Sequence, residues 1–357
     1  MNTERYQRQT ILKGFGLEGQ RKLVNAKVLV IGAGGLGVPV LTYLNAMGVG
    51  TLGIVDNDLV SFSNLHRQVL YTEKMVGQPK VVVAKKQLQK QNTETYINVY
   101  RTFLAANNVF DIIKNYDVVV DATDNFPTRY LINDACVILN KPFVYGALHG
   151  YEGQVSVFNY KNGPTYRCLF PTMPKADEVP NCNEHGVLGI IPGIIGNLQA
   201  LEVIKIVTGI GEVLSGELVL YDGLSQRIQK MKFALQPKNK QINELAASYD
   251  FECNITTKSI AADAFKSLLD NGSIEVIDVR TIDEFQASRL KQAKNIPLDE
   301  LMERVSEIHL ETPVYIICQS GSRSQRAILM LKEKFLNADF INVTGGMNKL
   351  HSYADTY

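Results

Sequence analysis

Lys27–Gly37 reads KVLVIGAGGLG, an apolar strand pattern that runs into glycines and then into a helical run, Val38–Ala46. Gly32, Gly34 and Gly37 stand at G-x-G-x-x-G spacing. Glycines here permit a tight turn and let backbone N–H groups approach phosphate, while the helix N-terminus adds positive potential. Thr51–Val55 (TLGIV) is the next strand pattern, and Asp56 closes it where such units hold ribose hydroxyls. Alone, the stretch favours a dinucleotide-binding Rossmann domain. The competing reading is a glycine turn without a ligand.

Working outward, Tyr96–Val99, Asp117–Ala122 (DVVVDA), Lys141–Tyr145, Gly153–Phe158 and Glu217–Tyr221 continue the strand patterns. Strands separated by helical runs imply parallel pairing through crossover helices. Gly193–Val207 is apolar except at Asn197, Gln199, Glu202 and Lys205, which suits a core helix or an oligomer interface. Gln236–Lys258 turns polar and loses any period. A second α/β block follows: a helical run at Ser259–Leu269, strands at Ile274–Val279 and Val314–Cys318, an amphipathic helix at Ser324–Phe335 and a strand at Phe340–Val343. The predicted class is α/β, a Rossmann-like domain with a mostly parallel sheet over 1–240, a linker over 241–256 and a smaller α/β domain over 257–357.

The 357 residues hold 37 Lys+Arg against 36 Asp+Glu, a net charge of +1. That balance leaves no global field to attract nucleic acid or an acidic membrane. With 45% hydrophobic and 20% charged residues, the chain is compositionally globular. The opening MNTERYQRQT has no apolar signal core, and the apolar stretches are expected to break before spanning length. The five cysteines, Cys136, Cys168, Cys182, Cys253 and Cys318, are odd in number and scattered. No disulfide framework is expected, and a reducing cytoplasm is the expected home.

Past the glycines the chain departs from hydride-transfer enzymes. Asp56–Gln68 (DNDLVSFSNLHRQ) supplies Asp58, Asn64, Arg67 and Gln68, and Lys80 follows in VGQPK. Cations and donors beside phosphates suit cleavage of an α–β phosphoanhydride, where charge develops on pyrophosphate. Arg67 alone reads equally as a solvated surface arginine. Asp121 and Asp124 end a strand in DATDN, where a carboxylate can hold Mg²⁺ on the phosphates of ATP. Asp124 is the better placed; its competing reading is a helix cap.

RYQRQ (Arg5–Gln9), GAGGLG, DNDLVSFSNLHRQ, VGQPK, DATDN and YRCLFP together resemble the MoeB/ThiF family, relatives of ubiquitin-activating enzymes, over about residues 1–235. The resemblance implies adenylation of the C-terminal Gly-Gly carboxylate of a small ubiquitin-fold sulfur carrier. It implies Asp56 as the ribose ligand, Gly35, Asn64, Arg67 and Lys80 on the phosphates, and Asp124 beside Mg²⁺. It implies Arg8 reaching the ATP of a partner subunit, hence a homodimer. Cys182, in Pro180–Gly186 near His185, resembles a loop cysteine that bonds to the carrier or takes part in sulfur transfer. The family commonly carries two Cys-x-x-Cys pairs for structural zinc. Here the first reads Thr165-Tyr-Arg-Cys168, and no cysteine lies between Cys182 and Cys253. One cysteine does not make a tetrahedral site, so no zinc is expected.

In the second block, Cys318-Gln-Ser-Gly-Ser-Arg-Ser324 links a strand to a helix. Backbone N–H groups around a cysteine there stabilise a thiolate or a persulfide anion. Gly321 and Ser324 shape the loop, and Arg323 is a cation for a sulfur-donor anion. The competing reading is a buried strand-end thiol. With VIDVR (276–280), DEF (283–285), AKNIP (293–297) and VTGGM (343–347), the block resembles a single-domain rhodanese, which implies Cys318 as persulfide carrier and Asp278 as a loop support. QASRLKQ (286–292) departs from the usual pattern.

The two resemblances imply adenylation of the carrier, then sulfur transfer from Cys318 to give a thiocarboxylate. The pathway is molybdopterin or thiamin synthesis or tRNA thiolation, and the donor a cysteine desulfurase or thiosulfate. The alternatives are an NAD-dependent oxidoreductase joined to a sulfurtransferase, and a non-catalytic carrier-binding scaffold.

Overall fold

Runs of β-branched residues build the centre of the first unit because both faces of its sheet are covered. In the computed structural model, which describes residues 3–174, 186–246, 249, 258–271, 274–319, 321–335, 337–350 and 355–356, the chain divides into Met1–Glu252 and Cys253–Tyr357. The first unit holds β1 (Lys27–Ile31), β2 (Thr51–Val55), β3 (Tyr96–Tyr100), β4 (Val118–Asp121), β5 (Phe143–His149), β6 (Glu152–Phe158), β7 (Glu217–Asp222) and β8 (Arg227–Lys232). They form one sheet in the order β3-β2-β1-β4-β5-β6-β7-β8. Pairing is parallel from β3 to β5 and antiparallel from β5 to β8. Val28 and Val30 enter one core cluster while Leu29 and Ile31 enter the other, so alternate residues of β1 are buried on opposite faces.

Strand order reverses between β1 and β4, and Ile31 lies opposite both Val55 and Asp121. The carboxyl ends of β1, β2 and β4 are therefore level, and the crevice beyond them is where open α/β sheets bind ligands. β8 has no counterpart among the predicted strands. Its RIQKMK is exposed throughout, and a charged edge strand carries no apolar alternation to reveal it.

The helix Ile190–Thr208 packs on the helix Gly37–Ala46 and on β5 and β6. Its 19 residues reach spanning length with a mean hydropathy of 1.6, so the expectation that apolar stretches break earlier does not hold here. Its polar groups find partners inside the unit. Gln199 donates to the Asp121 carbonyl at 2.7 Å, and Glu202 accepts the Leu214 N–H at 3.0 Å. This is a core helix. The first unit also extends beyond residue 240: Leu245 packs on its core, and the Tyr249 hydroxyl donates to Asp134 at 2.8 Å. Polar neighbours concealed that buried tyrosine from a reading based on composition.

The second unit holds β9 (Lys258–Ala261), β10 (Glu275–Asp278), β11 (Ser288–Arg289), β12 (Ala293–Asn295), β13 (Val314–Ile317), β14 (Phe340–Thr344) and β15 (Asp355–Thr356). Five make a parallel sheet in the order β12-β10-β13-β14-β9; β11 and β15 pair separately. The helical run expected at Ser259–Leu269 is instead β9 followed by the helix Ala262–Asn271. Pairing with β14 at the sheet edge overrides the local period.

Candidate active sites

A cavity of about 480 Å³ opens beyond β1, β2 and β4. Gly32 has φ +99°, and a Cβ there would lie 2.6 Å from the Ala122 carbonyl oxygen, so this turn requires glycine. Gly34 and Gly35 line the cavity. Gly37 does not; a Cβ there would meet the Gly32 carbonyl at 1.9 Å, so it closes the turn and leaves ligand contact to the other glycines.

Asp56 is fixed by the Ala33 N–H at 2.8 Å and the Asp58 N–H at 2.7 Å. Burial pushes its pKa up, against the opposing pull of Lys80 and these hydrogen bonds. Pro79 is the residue before the helix Lys80–Gln91, which makes Lys80 the first helical residue. Lys80 is 4% exposed, and its Nζ lies 2.8 Å from Asp58 Oδ2. Arg67 donates to Asn64 Oδ1 at 2.7 Å and to the Ser63 carbonyl at 3.3 Å. These neutral acceptors orient the guanidinium and leave its charge intact. Gln68 is buried against Gly34, and its Oε1 has no hydrogen-bond partner among the described residues.

Asp124 is exposed on the cavity wall. It does not cap the next helix, because Asn125 does so by accepting the Thr128 N–H at 2.9 Å. Asp121 takes the structural part. Fully buried, it accepts the Thr123 N–H at 3.0 Å and the Thr123 hydroxyl at 2.6 Å, and burial raises its pKa. Arg129, unremarked in the sequence, is buried, donates to the Thr123 carbonyl at 3.0 Å and lies over the rings of Phe126 and Tyr145. Asp121 and Arg129 thus clamp the residue before Asp124. Only their nearness within DATDNFPTR hinted at this.

Arg8 lies on the short helix Gln7–Thr10, is exposed and does not line its own chain's cavity. Cys182 and His185 lie outside the described residues.

Among the described residues no group of three or more His, Cys, Asp or Glu side chains is placed to hold a metal ion, and the surroundings of Cys168 do not suit zinc. Cys168 Sγ lies 3.3 Å from Thr165 Oγ1, 3.3 Å from the Gln236 nitrogen and 3.5 Å from Asn239 Nδ2. Gln236-x-x-Asn239 repeats the spacing of Thr165-x-x-Cys168. Amide N–H groups donate and offer zinc no lone pair. Burial pushes the Cys168 thiol up, but the hydrogen bonds from Thr165, Asn239 and Gln236 outweigh it and hold the pKa below its ordinary value.

In the second unit Cys318 follows β13 and is buried. Its Sγ accepts the Gly321 N–H at 3.1 Å and lies 3.4 Å from Ser324 Oγ. Gly321 has φ +104° and precedes the helix Ser322–Lys334. Ser324 is held 2.6 Å from Asn342 Oδ1, a partner the sequence did not single out. VTGGM supports the loop from below, where the Met347 N–H donates to the Cys318 carbonyl at 2.9 Å. Asp278 supports it from the side by pairing with buried Arg280 at 2.7 Å. Arg323 differs from its expected role. Both its terminal nitrogens donate to Glu284, at 2.7 and 2.8 Å, so its charge is already neutralised.

The ThiF family matches residues 6–253 and the rhodanese-like domain residues 261–353. The chain belongs to the ThiF family. It is 40% identical over 376 residues to the Zea mays "Adenylyltransferase and sulfurtransferase MOCS3-1", covering 96% of this chain and 80% of that protein. It is 39% identical over 380 residues to the Dictyostelium discoideum MOCS3 protein, covering 93% and 89%. Among solved structures, Escherichia coli MccB with ATP superposes at a TM-score of 0.59 and 24% identity, over 66% of this chain and 73% of that one. This likeness concerns the fold. As a ThiF-family member with a rhodanese-like domain, the chain is an adenylyltransferase and sulfurtransferase that uses ATP.

Proposed function

We propose that the substrate is the C-terminal Gly-Gly carboxylate of a small ubiquitin-fold carrier protein, and that the product is its thiocarboxylate. The observation that carries this reading is Arg67, which keeps its net charge beside a buried lysine in the glycine-lined cavity. The carrier carboxylate attacks the α-phosphorus, and pyrophosphate leaves as the bond to the β-phosphate breaks. Arg67 and Lys80 offset the charge gathering on pyrophosphate. Asp56 holds the ribose. Asp124, an oxygen donor on the cavity wall, suits Mg²⁺, which bridges phosphates when it enters with ATP. A homodimer supplies Arg8 from the second subunit.

The acyl-adenylate then meets persulfide sulfur held on Cys318. That terminal sulfur attacks the carbonyl and AMP leaves. The thiolate we assign to Cys182 then attacks the Cys318 sulfur of the resulting acyl disulfide, and the S–S bond breaks with the electron pair leaving on the thiocarboxylate. A small dithiol reductant reduces the Cys182–Cys318 disulfide that is left. The free thiols of Cys136, Cys168 and Cys318 support a reducing, cytoplasmic setting.

Incubation with a carrier, ATP·Mg²⁺ and a sulfur donor, followed by intact mass, tests the scheme. An AMP adduct and then a thiocarboxylate are expected. Absence of ATP–pyrophosphate exchange with every Gly-Gly carrier tried would reject it.

A further inference from the structure

The cysteine loop of the second unit is flanked by two arginines, and a carboxylate closes each of them. Arg280 is 2% exposed, bonded through Nε and Nη2 to Asp278, and turned by its remaining nitrogen toward Gln319 Oε1 at 3.2 Å. Arg323 gives both terminal nitrogens to the two oxygens of Glu284. Glu284 is held in turn, because its Oε2 accepts the Thr281 N–H at 3.0 Å. Arg323 does not turn its terminal nitrogens to a passing anion without breaking two charge-assisted bonds to a carboxylate that is itself held in place. The four charged groups sum to zero around a sulfur that must itself react as an anion.

Small sulfur donors differ most in charge. Thiosulfate brings a dianion to the Cys318 thiolate and needs a free cation beside its sulfonate oxygens. An alkyl persulfide brings its sulfane sulfur with one negative charge or none. We propose that Glu284 sets donor choice: by holding Arg323 in a closed pair it denies thiosulfate its cation and leaves the loop to persulfide donors. This rests on the reading of Cys318 as the persulfide carrier. With thiosulfate, the Cys318 thiolate bonds to the sulfane sulfur, the S–S bond of the donor breaks, and the electron pair leaves on sulfite. With an alkyl persulfide, the leaving group is the alkyl thiolate, which takes up the donor's proton.

The test uses the full chain and reads the gain of one sulfur on Cys318 by intact mass, with thiosulfate and with cysteine persulfide in parallel. The ratio of the two loading rates corrects for any loss of folded protein. Glu284→Gln is expected to raise the thiosulfate/persulfide ratio about tenfold, since a charge-assisted contact is restored to the anion. Adding Arg323→Gln is expected to abolish that gain. An unchanged ratio in Glu284→Gln, or a gain that survives in the double variant, overturns the proposal.

A second measurement needs no variant. The whole chain carries only +1, so salt dependence reports the local field. Thiosulfate loading of the unmodified protein is expected to quicken as ionic strength rises, because two anions are being screened. Loading that slows with salt shows a free cation at work and overturns the proposal. If neither donor loads the unmodified protein, the persulfide reading fails and this one with it; loading without the Glu284 effect removes this one alone.

Discussion

The two units handle positive charge in opposite ways. In the nucleotide cavity Arg67 is held by an amide oxygen and a carbonyl, so it stays a full cation facing open space. Lys80 is paired, but its partner Asp58 is 61% exposed at the side chain, and a solvated carboxylate gives way to phosphate cheaply. In the cysteine loop Arg280 and Arg323 are each locked to a carboxylate that is itself anchored. A site built for a polyanion keeps charge in reserve, whereas a site built for one sulfur atom spends its charge on shape.

The sharpest break between the two is Cys318→Ser. Sulfur loading of the second unit is expected to disappear entirely, while ATP–pyrophosphate exchange by the first continues at its original rate. Intact mass and exchange on one sample check this, and a parallel loss of exchange would show that the two chemistries are not separable. Next in size is Arg67→Ala or Lys80→Ala. Either should lower ATP–pyrophosphate exchange roughly 10²–10³-fold, the usual effect of removing one group that stabilises transition-state charge. Loading of Cys318 should persist. A loss below tenfold would mean that the open cation does not act on the phosphates.

How far the sequence revealed each site follows from the same contrast. Most of the cavity was legible because its parts are local: strand, glycines, Asp56, and the Asp58–Lys80 stretch lie in one continuous run from β1 to the start of the helix after β2. Gly37 shows the limit, since a motif glycine can serve the turn without meeting the ligand. The loop around Cys318 was legible as a nucleophile, yet Arg323 was assigned to a donor anion. Its true partner Glu284 lies 39 residues earlier, and no spacing rule links the two. Arg129 and Tyr249 escaped for a related reason. Each is a polar side chain whose burial depends on a tertiary partner, which composition does not register.

A smaller effect comes from acid. Burial tends to raise the pKa of Glu284, but the hydrogen bonds from Arg323 and Thr281 dominate and depress it from 4.5 to about 2. A depressed carboxylate stabilises the fold above its unfolded pKa and loses that contribution as pH falls through the folded one. Discounted for partial exposure, the contribution is about 1 kcal/mol. Glu284→Gln should therefore lower the unfolding free energy of the second unit near pH 7, and the difference from the unmodified protein should shrink between pH 4.5 and pH 2. A difference that stays constant across that range, followed by chemical denaturation, would show that the pair carries no net charge energy.

The smallest expected effect concerns Cys168, a sulfur ringed by donors like Cys318 but set in a different frame. Gln236 and Asn239, at the spacing of a Cys-x-x-Cys pair, give a main-chain N–H and a side-chain amide N–H to the Cys168 sulfur, which the Thr165 hydroxyl also contacts. Because those donors need no metal, EDTA should leave the melting temperature within about 1 °C, in contrast to a fold whose stability includes zinc binding energy. Thr165→Cys combined with Gln236→Cys and Asn239→Cys supplies four thiolates at Cys-x-x-Cys spacing. That variant should retain one equivalent of zinc by elemental analysis and gain a chelator-sensitive melting temperature. If the unmodified protein already carries an equivalent of zinc whose removal lowers its melting point, the hydrogen-bonded description of Cys168 is wrong. Cys168 and Cys318 would then differ by a metal, and the comparison of the two frames would have to start from coordination.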